Sequence, residues 1–402
     1  MMQWNRPRWR RQVGRRKLAA PGWKAGLTAV LMLGFAIVLT GLTGCGAEFF
    51  QAQTGSGTTP GSTTYAYVTN VGAGGTGGTL TAYALTSGKL TQLSGSPITL
   101  TATPTSIVVA PNNAFLYVGT NLGIFLYTIA SDGTLTEGNT DTIVYLGPTY
   151  PQALAVDSTS SWLLVANNKS TELDALPIDP TTGIPTSVTP AAVTLSNPSA
   201  TSVGISPANG TVYAALGTGG VNVWSFTASN ASNPWGSTRN NIALAKNSTS
   251  ANAVVADTTS TYLFIAESVG STTAGVLREL TLATLGSEVD YPTGVTPSAI
   301  LPDQSGDYVY VTNQSDNSIS GFSLSAGALT ALTDSPFSTA KAPLAIAEDS
   351  TKSYVLSIGY GTNPNLWLYS FDATTAGTLD VGLTTTSGSA DPSLSNAIAL
   401  TH

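Results

Sequence analysis

From residue 65 onward the chain alternates apolar and polar positions in short runs. One run opens on an aromatic or aliphatic residue and recurs as YAYVTN (65), FLYVGT (115), WLLVAN (162), TVYAAL (211), YLFIAE (262), YVYVTN (308) and YVLSIG (354), a period a little under 50 residues. Before all but the first stands a second apolar run and a tight turn, as in TSIVVAPNNA, QALAVDSTSS and NAVVADTTST. After each comes a third run, such as GIFLYTIA or SISGFSLS, and a fourth is repeatedly introduced by Gly-x-Leu-Thr at 88, 133 and 327. Alternation of this kind predicts strands. A four-strand unit at this period predicts an all-β fold, a β-propeller with one antiparallel blade per repeat.

The two ends set the blade count. Name the strands a to d from the axis outward. The first repeat begins at strand b, and the chain ends in SNAIALTH (395–402), a strand a with no b after it. Seven b–c–d sets and seven a strands pair off if the C-terminal strand completes the N-terminal blade. The prediction is a seven-bladed propeller of four-stranded blades over 65–402, closed by a one-plus-three seam that leaves no free edge. The inner runs (SIVVA, NAVVA) are continuous and apolar, as for strands buried on both faces. Asp157, Asp257, Asp303 and Asp349 recur before the a–b turn. Each stands alone, which suits a side chain fixing a tight turn better than a metal rail.

The charge count changes once the chain is split. Eight of the 15 Lys and Arg lie in the first 24 residues, and all 22 acids lie beyond residue 45. The basic head precedes an uncharged apolar run (25–44), the order of an export signal; an uncleaved N-terminal anchor is the alternative. LTGC, ending at Cys45, resembles the bacterial lipoprotein signal, in which the Cys is diacylated and the peptide is cut just before it. That resemblance implies a signal peptide over 1–44, a lipidated Cys45 and Gly/Ser/Thr-rich tether over 45–64, and membrane attachment at the cell envelope. Gly46 in place of Asp favours an outer membrane where the cell has one. Without residues 1–44, seven basic residues face 22 acids, a net charge of −15. Such a surface excludes a nucleic-acid partner. Cys45 is the single cysteine, so burial alone must hold the core.

YVYVTN and YAYVTN, with Pro ahead of strand a, resemble the YVTN-repeat propellers, and more particularly the seven-bladed lactonase-like family that includes 6-phosphogluconolactonases and cycloisomerases. The likeness covers 65–402, but its letters build strand b and its turns rather than a reaction centre. It implies His, Arg and acidic side chains around the axial cleft, including a Pro-His step before strand a. Here that step reads TPTS at Pro104, YPQA at Pro151, TPSA at Pro297 and APLA at Pro343. The single histidine is His402.

Candidate chemistry is therefore sparse. The densest ionisable group is Glu267, Arg278 and Glu279 in the fifth blade. Arg278 and Glu279 are adjacent in a strand and point to opposite faces, so an exposed or blade-to-blade ion pair is the expectation. No nucleophile elbow, metal-ligand cluster or phosphate loop is present, and no cofactor is implied; GAGGTGG (72–78) is followed by no helix. The b–c and d–a loops emerge at one mouth, and loops on a rigid scaffold carry function. They offer Asn70, Tyr150, Glu267, Tyr291, Asn313, Tyr360 and Asn363 as ligand-binding candidates, with Asn313 to Asn317 read as an exposed turn. Such groups suit a glycan, a peptide or an envelope protein. The expected function is a monomeric, non-catalytic binding or scaffold module at the envelope. Its rivals are a lactonase-type hydrolase of a sugar lactone and a ligand-free structural repeat.

Overall fold

The computed structural model describes residues 63–138, 143–186, 190–198, 200–361, 364–385 and 394–402. The signal, Cys45 and nearly all of the tether lie outside the described residues. Seven antiparallel sheets follow one another around a ring, each ordered a-b-c-d, with a short fifth strand added to blades 1 and 6. In blade 1 the strands are Ser395–Leu400 (a), Thr64–Val71 (b), Gly78–Thr86 (c) and Lys89–Gln92 (d). The predicted seam is present: Ala66 lies opposite Leu400 and Thr69 opposite Ala397. Beyond the strands, Thr401 N–H donates to Tyr65 O and Tyr65 N–H to Thr401 Oγ1, each at 2.9 Å.

The apolar core lies between blades rather than at the axis. Each of seven buried clusters joins two neighbouring blades; one packs Ala66, Val68, Tyr83 and Leu85 of blade 1 against Leu356, Ile358, Leu366 and Leu368 of blade 7. The inner strands differ from expectation here. Ser202–Ile205 is half-buried along its whole length and Pro104–Val109 only in part, because their inward face borders an axial channel instead of protein.

The recurrent acids close turns, as their isolation implied. Asp257 accepts from the backbone N–H of Thr259 (3.1 Å), Thr261 (2.6 Å) and Tyr262 (2.6 Å). Asp157 and Asp349 take the same set of bonds, and Asp303 accepts from Ser305, Gly306 and Tyr308 N–H. Among the described residues no acidic or histidine cluster has metal-ligand geometry. Three residues after each acid the backbone enters the left-handed region, at Ser160, Ser260, Gly306 and Lys352, and Asn113 and Asn209 do so in the two turns without the Asp. Several of these side chains then reach the preceding blade. Ser160 Oγ accepts from Asn112 N–H (3.0 Å), and Asn209 Oδ1 from Ser158 N–H (2.9 Å). His402 N–H is likewise held by Asn113 Oδ1 at 2.8 Å. That bond places His402 at the base, the end of the ring opposite the mouth.

Above this base girdle, a strand-b tyrosine locks three blades to the next. The Tyr67, Tyr117 and Tyr310 hydroxyls donate to the carbonyls of Gly133, Gly183 and Gly377 in the following blade's c–d turn, at 2.9, 2.6 and 2.7 Å. An aromatic residue at the start of the strand lies against the same turn. Gly133 (φ +78) would place a Cβ 2.1 Å from the Tyr65 ring. The glycine of Gly-x-Leu-Thr is thus required twice over, by its backbone angle and by its neighbour. Gly133→Ala is expected to cost about 2–3 kcal/mol, combining left-handed strain with a displaced ring. Denaturant unfolding measures it, and an unchanged midpoint would mean the seat has slack.

Candidate functional site

Strand b ends at the mouth on a polar residue in most blades, and its side chain turns inward. Asn70, Thr120, Asn167, Glu267 and Asn313 occupy this same position, each at most 1 % exposed. Four of them meet the side chain of the strand-c residue that pairs two positions back along strand b. Asn70 Nδ2 lies 3.4 Å from Thr81 Oγ1, Asn167 Nδ2 2.9 Å from Asp174 Oδ2, and Asn313 Nδ2 2.9 Å from Ser320 Oγ. In blade 5 the pair is Glu267 with Arg278, Oε1 to Nη1 at 2.8 Å. The outer side of three of the pairs holds the chain near the entry to strand a. Ser395 Oγ donates to Asn70 Oδ1 (2.6 Å), Gly294 N–H to Asn313 Oδ1 (3.1 Å) and Ala245 N–H to Glu267 Oε2 (2.8 Å). A buried polar group seeks partners; for Asn313 and Glu267 these are backbone N–H groups and for Asn70 a serine hydroxyl.

Two pairs carry ionisable groups. Arg278 also donates to Ala243 O (2.7 Å) and meets Glu288 Oε1 at 2.6 Å on strand d. The pair is therefore buried and internal to blade 5, not exposed or blade-to-blade as expected. Glu279 does point to the other face; burial, with the Asp257 charge nearby, pushes its carboxyl up to about 7. In blade 3, Asp174 accepts from the Tyr145 hydroxyl, and burial raises its pKa above the usual carboxylate range.

The open site lies on the axis. The mouth-side halves of all seven a strands enclose a channel of about 320 Å³, lined among the described residues by Thr105, Gln152, Thr201, Asn252 and Ser298 with small aliphatic side chains, and by no ionisable group. That volume is in the range of small-ligand sites. The second position of strand a forms a ring of hydrogen bonds from blade to blade. Asn396 Nδ2 donates to Pro104 O (2.8 Å), Thr105 Oγ1 to Pro151 O (2.5 Å), Thr201 Oγ1 to Ala251 O (3.1 Å), Asn252 Nδ2 to Pro297 O (2.7 Å), and Ser298 Oγ to Pro343 O (2.8 Å). Two blades break the ring. Leu344 has no polar atom to give, and Gln152 bonds only through its carbonyl, accepting from Asn168 Nδ2 at 2.6 Å. The Gln152 amide N–H groups are thus the uncommitted donors of the ring among the described residues.

None of the described sequence candidates lines this channel. Asn70, Glu267 and Asn313 are buried loop anchors; Asn313 belongs to the strand and is covered, not part of an exposed turn. Tyr291 lies in strand d, where its hydroxyl accepts from Leu329 N–H of blade 6 at 3.1 Å. Tyr150 and Tyr360 reach solvent at the mouth, 38 % and 42 % exposed. Asn363 lies outside the described residues. Missed were Gln152, Thr105, Asn252 and Ser298. Three of the four had a signal: Thr105, Gln152 and Ser298 each follow the proline that opens strand a, the step at which the family resemblance implies histidine.

Seven four-stranded antiparallel blades closed into a ring define the class of seven-bladed β-propellers. Residues 63–388 match the family model described as lactonase, 7-bladed beta-propeller, and the chain belongs to that family. Among solved structures it is similar to a putative 6-phosphogluconolactonase from Bacteroides fragilis, at 14 % identity and TM-score 0.65 over 85 % of this chain and 98 % of that one. It is also similar to the periplasmic gluconolactonase of Pseudomonas aeruginosa, at 15 % identity and TM-score 0.61 over 85 % and 99 %. A protein from Lactobacillus plantarum aligns over 85 % of this chain and 100 % of its own, at 17 % identity and TM-score 0.65. No curated protein matches. At these identities the structural likeness concerns the fold.

The blade 5 cluster is the most consequential of the loop anchors, because removing one charge strands the other in the interior. Arg278→Met is expected to destabilise the protein by about 3–5 kcal/mol, measured as a lowered denaturant midpoint. A loss below about 1 kcal/mol would show that water reaches Glu267.

Proposed function

We propose that this chain takes a neutral sugar lactone at the axial mouth and opens its ring there. The observation that carries this reading is the ring of hydroxyl and amide side chains around a channel of about 320 Å³, set in a lactonase-family propeller. The lactonase neighbours support it at the level of fold. A phosphorylated lactone fits less well. No cationic side chain lines the channel among the described residues, and the chain beyond residue 44 carries a net charge of −15, which repels phosphate.

The chemistry open to such a site is limited and specific. Water or hydroxide adds to the lactone carbonyl, the ring C–O bond breaks, and a hydroxy acid leaves. The developing oxyanion needs donors already aimed at it, and the Gln152 amide is the donor the girdle leaves free. No ionisable side chain lines the channel among the described residues, so the channel offers no general base. The nucleophile then comes from solvent, and the rate rises with hydroxide without a bell-shaped maximum. The same inventory favours a second reading, binding without turnover, in which the product of the encounter is the intact lactone.

Gluconolactone hydrolysis followed in a pH-stat separates these. The expected result is acceleration over the spontaneous rate, first order in hydroxide, reduced about 10²-fold by Gln152→Leu, and weaker for the 6-phosphorylated lactone. Saturable binding without acceleration would leave the binding reading; neither acceleration nor binding would remove both. We further propose export and lipid anchoring through Cys45, supported by its place after the apolar run. Radiolabelled palmitate should enter the envelope-bound protein and be lost in Cys45→Ala; label retained in that variant would refute the anchor.

A further inference from the structure

The seven blade interfaces are not equivalent. In six blades an aromatic residue stands first or second in strand b: Tyr65, Phe115, Trp162, Tyr262, Tyr308 and Tyr354. Each ring is seated on the c–d turn of the next blade. A Cβ on Gly183 would meet Phe115 at 2.5 Å, one on Gly327 would meet Tyr262 at 2.4 Å, and one on Gly377 would meet Tyr308 at 2.4 Å. Where blade 4 offers no glycine, Trp162 Nε1 donates to Ala228 O at 2.8 Å.

The seventh position is Thr211. It stands two residues after the left-handed Asn209, as Trp162 follows Ser160 and Tyr262 follows Ser260. The facing turn of blade 5 differs in the matching way. It runs over the four residues between Thr281 and Gly286, and Leu285 adopts φ +52 with no glycine beside a ring. The deeper lock is altered too, since the Tyr213 hydroxyl accepts from Ala256 N–H (2.9 Å) rather than donating to a turn carbonyl. Between Thr211 and this turn lies a cavity of about 340 Å³, walled by Val223, Leu282 and Leu285 with Ser225, Ser260 and Thr284 among its polar lining. No charged side chain lines it among the described residues.

We propose that this vacant seat binds a tyrosine side chain presented by a partner polypeptide. The cavity continues the blade-to-blade interface, and four of the six occupied seats are filled by tyrosine from this chain itself. Its walls match that occupant: apolar faces for the ring, hydroxyls for the phenol, and no charge among the described residues to select an ion. An aromatic anchor in a preformed pocket is also the residue type that concentrates binding energy at interfaces. The site lies between blades 4 and 5 and is independent of the lactone reading.

Saturation-transfer NMR on the full-length protein with N-acetyl-tyrosine amide tests it, with N-acetyl-leucine amide and glucose as controls. The expected result is transfer to the tyrosine ring protons alone, lost at least fivefold in Thr211→Tyr, whose own ring fills the seat and raises Tm. Ser225→Trp, which narrows the entrance from an exposed position, should lose the transfer as well and decides the matter if Thr211→Tyr does not fold. No transfer in the wild type, transfer to glucose instead, or transfer undiminished in the folded variants would each overturn the proposal.

Discussion

The structure depends on one repeated contact, an aromatic ring at the start of strand b seated on the c–d turn of the following blade. A propeller blade cannot bury its faces alone; it must lean on its neighbours. The apolar clusters of this protein therefore lie in the wedges between blades. The seated ring sets how closely two blades approach, and the left-handed glycine beneath it makes room. Because the ring closes, each wedge angle constrains the others, and the seam between Thr64–Val71 and Ser395–Leu400 forms only if all seven add up. The wedge between blades 4 and 5 keeps the angle with a different pairing, Thr211 against a longer turn, and leaves a cavity where the ring would be.

Polar residues obey the same economy. With few charged side chains in the chain, Ser, Thr and Asn serve as structural ties at both ends of the ring. At the base they fasten four of the a–b turns to the preceding blade. At the mouth the second residue of strand a bonds across to the next blade's first carbonyl, and in three blades the strand-b terminal residue holds the chain near the entry to strand a. What is left for a ligand is what these ties do not consume: the inward surfaces of the girdle and the Gln152 amide, in a channel without an ionisable lining among the described residues.

Which features were legible follows from the range of the interaction behind them. The Asp257 type of turn is local, written within five residues, and was read correctly from the letters. So was the ring closure, since it needs only a count of strands. Asn313 was misread because burial of a strand end depends on the preceding blade's strand d 19 residues away, whose Gly294 N–H donates to its Oδ1. The Glu267–Arg278 pair was seen as a pair, but its burial rests on Ala243 and Ala245 of a neighbouring loop. Thr105 and Ser298 carried a faint signal in the proline before them. Their partners, Pro151 and Pro343, belong to the next blade.

By itself, then, the sequence determined the repeat, its strand alternation, its turn chemistry and the blade count, because each arises from neighbours within a few residues or from a period that can be counted. It also determined the scarcity of acid–base groups, which composition alone records. Only the tertiary structure decided which polar residues are spent on holding blades together and which face the axis. That assignment depends on contacts made 40 to 50 residues away across a wedge, as between Asn252 and Pro297. The empty seat beside Thr211 belongs to the same category. One small residue becomes a cavity only when the blade opposite fails to fill it.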